Sequence, residues 1–174
     1  VFGSAKLIEE VFAKAGYPQG VFQNLIVHQD QTEQIIAHST VRAITLTGSE
    51  RAGSAVAAIA GKYLKKSLLE LGGNNAFIVW EDADIDEAVK TAVTARMLNC
   101  GQSCIAAKRF IVLDAIYDDF LTLFTEKMKR AKMGDPTHKD TVYGPLARLD
   151  LRDELHKQVE KTIKQGGKLI IGGK

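Results

Sequence analysis

Apolar residues recur at two spacings along this 174-residue chain, and their alternation predicts the order of its elements. Segments with an apolar position every three or four residues predict helices, and short apolar runs between glycine, proline or polar turn residues predict strands. The predicted helices cover residues 2–15, 32–38, 50–64, 84–98, 116–128 and 149–165. The predicted strands cover residues 21–27, 42–46, 67–70, 76–80, 109–113 and 169–171.

Strands alternate with helices in this prediction, as in a parallel sheet with crossover helices, so we expect an α/β fold. A glycine pair, Gly72 and Gly73, follows the third predicted strand and is a natural pivot, which makes it the best candidate for a domain boundary. The chain begins at Val1, which is not an initiating Met, directly before the helix predicted at residues 2–15, and it ends on Gly172-Gly173-Lys174 directly after an apolar run. We therefore expect a fragment of a longer protein rather than a trimmed complete domain.

The composition is ordinary for a globular protein, with 45% hydrophobic and 25% charged residues. A net charge of +2 gives no electrostatic basis for binding nucleic acid or an anionic membrane, so neither partner is expected. No apolar run reaches the roughly 18 residues of a membrane span. Two cysteines, Cys100 and Cys104, do not make a disulfide-stapled secreted scaffold, and they indicate a reducing compartment, for which we expect the cytoplasm.

A small-residue turn, Thr47-Gly48-Ser49, leads from a predicted strand into a predicted helix. Glycine lets the backbone approach a ligand closely, and free amides at a helix start attract phosphate. The segment is neither a Walker loop nor the Gly-x-Gly-x-x-Gly fingerprint. The turn is therefore either a nucleotide-binding element or an ordinary connection between a strand and a helix. The spacing alone favours the ordinary connection.

Two side chains with reactive groups stand out further along the chain. Glu70 is flanked by leucines, and two glycines follow the second of them. Desolvation at such a position would raise the pKa of its carboxyl and suit it to act as a general base. A glutamate at a strand end that faces water is the more common outcome. Cys104 closes the predicted loop from Asn99 and is a candidate nucleophile, because a thiolate needs only modest activation. A lone cysteine is otherwise a small buried hydrophobe.

Metal binding and Cys–His hydrolysis are both disfavoured. The Cys-x-x-x-Cys spacing has no matching cluster of histidines or cysteines elsewhere, so no metal site is expected. The four histidines lie in polar segments and are predicted to be surface residues: His28, His38, His138 and His156.

Taken together and in order, these segments resemble the aldehyde dehydrogenase superfamily. That family carries a Phe-Thr-Gly-Ser-x-x-x-Gly turn, a Glu-Leu-Gly-Gly segment and a Gly-Gln-x-Cys loop. Here they stand at residues 46–53, with Leu46 in place of Phe, at residues 70–73 and at residues 101–104. The resemblance covers essentially the whole chain, and within the family it is most similar to bacterial succinate-semialdehyde dehydrogenases.

The resemblance implies a three-layer aldehyde dehydrogenase-like fold with a parallel-sheet cofactor domain and an α/β catalytic domain. Residues 1–72 would be the C-terminal part of the NAD(P)-binding domain, and residues 73–174 the N-terminal part of the catalytic domain, both incomplete. Cys104 would add to an aldehyde, hydride would leave to NAD or NADP, and water activated by Glu70 would hydrolyse the thioester. The intact protein would be a homodimer or homotetramer.

The same resemblance assigns the cofactor contacts. Gly48 and Ser49, with Thr47 beside them, would lie against the pyrophosphate while Ala52 packs nearby. Leu71 and Gly72 would border the nicotinamide.

The implied substrate is a small aldehyde, with succinate semialdehyde first. Leu98 stands where mammalian succinate-semialdehyde enzymes have an arginine that binds the substrate carboxylate, and Arg96 is nearby, so other small aldehydes stay open. The alternative comes from another functional class: the chain would be a non-catalytic module of the same fold that binds a nucleotide or another protein.

Overall fold

The computed structural model describes residues 2–173 of the chain, which divide into two compact units, one ending at Leu71 and the other beginning at Gly72. The helices are α1 (Phe2–Lys14), α2 (Thr32–Ala37), α3 (Glu50–Lys62), α4 (Ile85–Met97), α5 (Asp114–Arg130) and α6 (Leu149–Lys164). The strands are β1 (Ala43–Thr47), β2 (Lys66–Glu70), β3 (Asn75–Val79) and β4 (Ala107–Val112). Short 3-10 turns cover Gln29–Gln31 and Leu98–Gly101.

The first unit is a β-α-β crossover, preceded by α1 and α2. Strands β1 and β2 pair in parallel, with Ala43 opposite Lys66 and Thr47 opposite Glu70, and α3 connects them. Helix α3 packs on both strands and on α2, and it buries Ala60 completely. Because both strands run the same way, their carboxyl ends meet at one edge, where open parallel sheets bind ligands.

The second unit repeats this arrangement with β3, α4 and β4, and α5 packs against α4. Its core contains Val79, Val89, Ala92 and Phe120, all at most 3% exposed. Phe120 stacks on Phe124, and two further aromatic pairs lie against this core, with ring centroids 4.9–5.6 Å apart in all three pairs: Phe77–Phe110, Phe110–Phe124 and Phe120–Phe124. Asp84 caps α4 through its side chain, which accepts a hydrogen bond from the Glu87 amide at 3.1 Å, as the sequence predicted.

Every predicted helix and four of the six predicted strands are confirmed, with shifts of one or two residues at most ends. The strands predicted at residues 21–27 and 169–171 are wrong, because both segments are irregular in the structure. Their apolar side chains are largely exposed, 67% at Leu25, 79% at Ile26 and 48% at Leu169. A strand exists only through its hydrogen-bonded neighbour, and an apolar run cannot by itself show that a neighbour is in reach.

Candidate functional site

The turn between β1 and α3 is a capped helix start with an open glycine. Ser49 is the N-cap of α3, and its Oγ accepts a hydrogen bond from the Ala52 amide at 3.2 Å. A Cβ added to Gly48 would meet only Leu46 and Ala52, at 3.9 and 4.0 Å, which is ordinary contact. The backbone of Gly48 also lies outside the left-handed region. The fold itself therefore does not require a glycine at position 48. A ligand that comes close to the backbone would require one, because any side chain would stand in its way.

Glu70 stands directly beside this turn. It is the last residue of β2 and pairs with Thr47, and its carbonyl oxygen accepts a hydrogen bond from the Gly48 amide at 3.0 Å. The Glu70 side chain is exposed, which is the second of the two outcomes that the sequence left open. Two of the three sequence motifs thus meet at the carboxyl edge of the first sheet, and the main chain of Glu70 holds the turn in place.

Leu71 follows Glu70 and packs against the one buried glycine of α3. An ideal Cβ at Gly53 would lie 2.6 Å from Cδ2 and 2.7 Å from Cδ1 of Leu71, closer than real contacts allow. Gly53 is the last glycine of the 46–53 motif, so its lack of a side chain sets how near Leu71 comes to the helix. Gly72, in contrast, is exposed, and a Cβ added there would have no atom within 4 Å.

In the second unit, Cys104 lies on a loop that leaves α4 through an unusual turn. Asn99, Cys100 and Gly101 have φ values of 51°, 58° and 76°, all in the left-handed region. Such a backbone costs a non-glycine residue roughly 1–2 kcal/mol, so the turn depends on contacts from elsewhere. Cys104 itself is exposed, as a residue that attacks a substrate must be, while Cys100 is half-buried.

Two cations hold the main chain of this loop. Arg96 donates from Nη2 to the Gly101 carbonyl at 2.5 Å and from Nη1 to the Ala107 carbonyl at 2.8 Å. Partial burial lowers the pKa of the Arg96 guanidinium from its ordinary value, but an arginine stays protonated near neutral pH. The exposed Lys108 ammonium donates to the carbonyls of Cys104 and Ala106, each at 3.1 Å. These roles were missed at the sequence level, because a side chain that reaches backbone carbonyls has no spacing signature.

The loop is also tied to its neighbours in the same unit. The Gly144 amide donates to Cys100 Sγ at 3.3 Å, and the Ala147 amide donates to Gln102 Oε1 at 3.0 Å. A Cβ on Gly73 would meet the Cys104 carbonyl oxygen at 3.1 Å, so the last glycine of the Glu-Leu-Gly-Gly motif lies beside the candidate nucleophile. Cys100 is thus a packing and hydrogen-bonding residue, which leaves Cys104 as the exposed thiol.

Three further observations concern the histidines, the metal-ligating side chains and the helix lengths of the described residues. The four histidines are exposed, as predicted. Between residues 2 and 173, no three His, Cys, Asp or Glu side chains are arranged to hold a metal ion. Over the same residues, no helix is long and apolar enough to cross a bilayer.

Comparison with known proteins identifies the family. The model of the aldehyde dehydrogenase family matches residues 2–174, and the chain therefore belongs to this family. It is 54% identical over 171 residues to a succinate-semialdehyde dehydrogenase [NADP(+)] of Mycobacterium avium (strain 104), covering 98% of this chain and 36% of that protein. A succinate semialdehyde dehydrogenase [NAD(P)+] of Escherichia coli (strain K12) is 51% identical over 173 residues, with coverage of 99% and 37%.

Solved structures agree with this assignment. The chain superposes on succinic semialdehyde dehydrogenase from Streptococcus pyogenes, solved with NADP+, with a TM-score of 0.94 and 43% identity, covering 98% of this chain and 38% of that one. The predicted α/β fold of the family is confirmed. The chain spans a little over a third of the length of the relatives that it matches.

Proposed function

We propose that this chain is part of an enzyme that oxidises a small aldehyde to its carboxylic acid, with NAD or NADP as the hydride acceptor. The substrate that we propose first is succinate semialdehyde, since the relatives from Mycobacterium avium and Escherichia coli carry that substrate in their names. The observation that carries the proposal is the exposed thiol of Cys104, on a loop whose backbone is held by Arg96 and Lys108.

The turn at residues 47–49 fits a dinucleotide phosphate. It combines a glycine that the fold does not need, a capped helix start and a position at the carboxyl edge of a parallel sheet. Gly48 and Ser49 would lie against the pyrophosphate, with Thr47 and Ala52 shaping the turn, and Leu71 and Gly72 would border the nicotinamide. When bound, the cofactor supplies the hydride acceptor.

Cys104 forms the covalent intermediate. Its thiolate sulfur adds to the aldehyde carbon, and the carbonyl oxygen becomes an oxyanion held by the backbone amide of Cys104. Hydride then leaves the carbon for the acceptor that a bound NAD or NADP would supply, and the carbonyl re-forms as a thioester on the sulfur. A thiol suits this step because the adduct can expel hydride and because a thioester hydrolyses more readily than an ester.

Glu70 completes the cycle as a general base. Its carboxylate takes a proton from water while the water oxygen attacks the thioester carbon. The carbon–sulfur bond then breaks, which releases the carboxylic acid and restores the thiolate of Cys104. An exposed carboxylate at a strand end has the access to water that this step requires.

The same proposal includes the domains, the oligomeric state and the cell compartment of the whole protein. Residues 1–72 would belong to the cofactor domain and residues 73–174 to the catalytic domain. The whole protein would act as a homodimer or homotetramer in the cytoplasm, which a mass measurement in solution and fractionation of the source cells would test.

The decisive experiment compares the two cysteines in the full-length protein. Cys104→Ala should lower kcat by at least about 10³-fold, since removing a nucleophile disables the whole covalent route, and should leave cofactor binding intact. Cys100→Ala is the matched control and should keep most of the activity. Full turnover in Cys104→Ala would refute the assignment, and an inactive unsubstituted protein that still binds the dinucleotide would favour the non-catalytic module.

A pair of aldehydes of equal chain length tests the substrate. Succinate semialdehyde and butanal differ by the terminal carboxylate, so their ratio of kcat/KM isolates recognition of that group. A site built for the carboxylate should prefer succinate semialdehyde by at least about 10²-fold, because its polar groups would be left unpaired by butanal. Equal values would refute the proposed substrate and keep the aldehyde chemistry.

A further inference from the structure

The loop that carries Cys104 is closed by one side chain at two points that are symmetric about the cysteine. Gly101 lies three residues before Cys104 and Ala107 three residues after it. Both carbonyls accept hydrogen bonds from the same guanidinium, that of Arg96. The five residues between these points have their ends fixed to each other through one planar group.

The two ends of this contact are anchored in rigid elements. Arg96 belongs to the last turn of α4, and Ala107 is the first residue of β4 and only 5% exposed. Helix α4 and strand β4 both contribute to the core of the second unit. The guanidinium therefore holds the loop to the core rather than to another loop.

Gly101 fits this contact sterically as well as by its backbone angle. A Cβ on Gly101 would lie 2.6 Å from Nη2 of Arg96, and the φ of +76° is one that glycine adopts without cost. Arginine suits these two acceptors better than lysine, because Nη1 and Nη2 each bond one carbonyl from fixed positions in a planar fork, while an ammonium has all its donors on one nitrogen.

We propose that Arg96 is a positioning residue for the nucleophile, which holds the main chain on both sides of Cys104 so that the thiol stands where the aldehyde carbon arrives. The inference rests on the proposed function. It also means that the Arg96 guanidinium is committed to backbone carbonyls and is not the group that binds a substrate carboxylate. A displacement of about 1 Å in a reacting group lowers a rate by about 10²-fold, which sets the scale of the expected effect.

The test uses Arg96→Met, Arg96→Lys and the matched control Arg130→Met in the full-length protein. Arg130 is an exposed arginine on α5, and its Nη2 lies 3.8 Å from Oε2 of Glu126. Arg96→Met should lower kcat about 10- to 100-fold with the KM for the dinucleotide unchanged. Arg96→Lys should be intermediate, because the two carbonyls bond different nitrogens of the guanidinium, whereas an ammonium has all its donors on one nitrogen. Arg130→Met should stay within about twofold of the unsubstituted protein.

Two further readouts separate positioning from a general structural role. Amide hydrogen exchange at residues 101–107 should accelerate in Arg96→Met while exchange in α5 stays slow. Iodoacetamide, which needs no docking, should alkylate Cys104 at a rate within about threefold of normal. If α5 exchanges faster to the same degree, or if alkylation and turnover fall together, Arg96 does not act by positioning.

The other possible results also decide whether Arg96 positions the nucleophile. A kcat of Arg96→Met within twofold of normal would overturn the proposal, and if Arg96→Met does not fold, the same criterion applies to Arg96→Lys. If the unsubstituted protein oxidises no aldehyde, the proposed function fails. The exchange rates at residues 101–107 then still show whether Arg96 holds the loop.

Discussion

Two glycines of α3 should respond in opposite ways to the same substitution. Gly53 is buried, and a Cβ there would lie 2.6 and 2.7 Å from the two methyl carbons of Leu71. Gly61, in the same helix, is exposed and has nothing within 4 Å of that position. The perturbation in both cases is one methyl group, so the pair separates packing from helix propensity.

The magnitudes follow from these distances. Alanine in place of glycine inside a helix gains about 0.8–1 kcal/mol, and Gly61→Ala should realise about half of this so close to the helix end. At Gly53, carbon atoms prefer separations of 3.5–4.0 Å, so Leu71 must retreat by about 1 Å. Overpacking of this kind costs about 1–3 kcal/mol, which offsets or exceeds the propensity gain. We expect Gly53→Ala to be less stable than Gly61→Ala by about 0.5–2.5 kcal/mol.

The assay is urea unfolding of the full-length protein, with dinucleotide binding measured on the folded variants. Gly53→Ala should also weaken dinucleotide binding, since Leu71 is proposed to border the nicotinamide, and Gly61→Ala should not. Equal stabilisation by the two substitutions would refute the close approach of Leu71 to α3. Lower stability with unchanged dinucleotide binding would refute the role of Leu71 at the nicotinamide.

Three other substitutions test the packing and the charges of the two units. Asp84→Ala should lower the free energy of unfolding by about 1 kcal/mol through loss of the α4 cap, measured by urea unfolding. Phe120→Ala should cost about 3–5 kcal/mol in the same assay, because the ring is 3% exposed in the core of the second unit. Hydrogen bonds from Lys62 and Tyr63 lower the pKa of Glu33, so its contribution to stability is present above pH 4.5 and is lost as the pH falls through the lower folded value. Glu33→Gln should remove that part of the acid dependence of thermal unfolding, and an unchanged pH profile would contradict the contact.

The elements that the sequence predicts well are those whose signals are local. The cap at Asp84 and the small-residue turn at Ser49 are set by side chains that act within three residues, and both are confirmed. Residues 21–27 and 169–171 carry the same apolar pattern as the true strands, but pairing depends on partners distant in sequence. The order of motifs also identified the family, because three separate segments had to agree.

The backbone conformation and the contacts of the Cys104 loop could not be predicted from neighbouring residues in the sequence. Asn99 and Gly101 are residue types that tolerate left-handed backbone, but nothing local predicts three such residues in a row through Cys100. The contacts of Arg96 with two carbonyls depend on how α4 meets β4, which is a property of the folded unit. Sequence reasoning therefore proposed Cys104 as the nucleophile and missed the contacts that hold its loop.

The central claim is that the sulfur of Cys104 carries the acyl group during turnover. Glu70→Gln should slow hydrolysis of the thioester, so that the full-length protein given succinate semialdehyde and a dinucleotide accumulates acylated enzyme. Trypsin would release residues 97–108 as one peptide containing both cysteines, and fragment ions in mass spectrometry assign the modified sulfur. The account predicts a succinyl group on Cys104. A succinyl group on Cys100, or reduced dinucleotide formed without any acylated peptide, would contradict it.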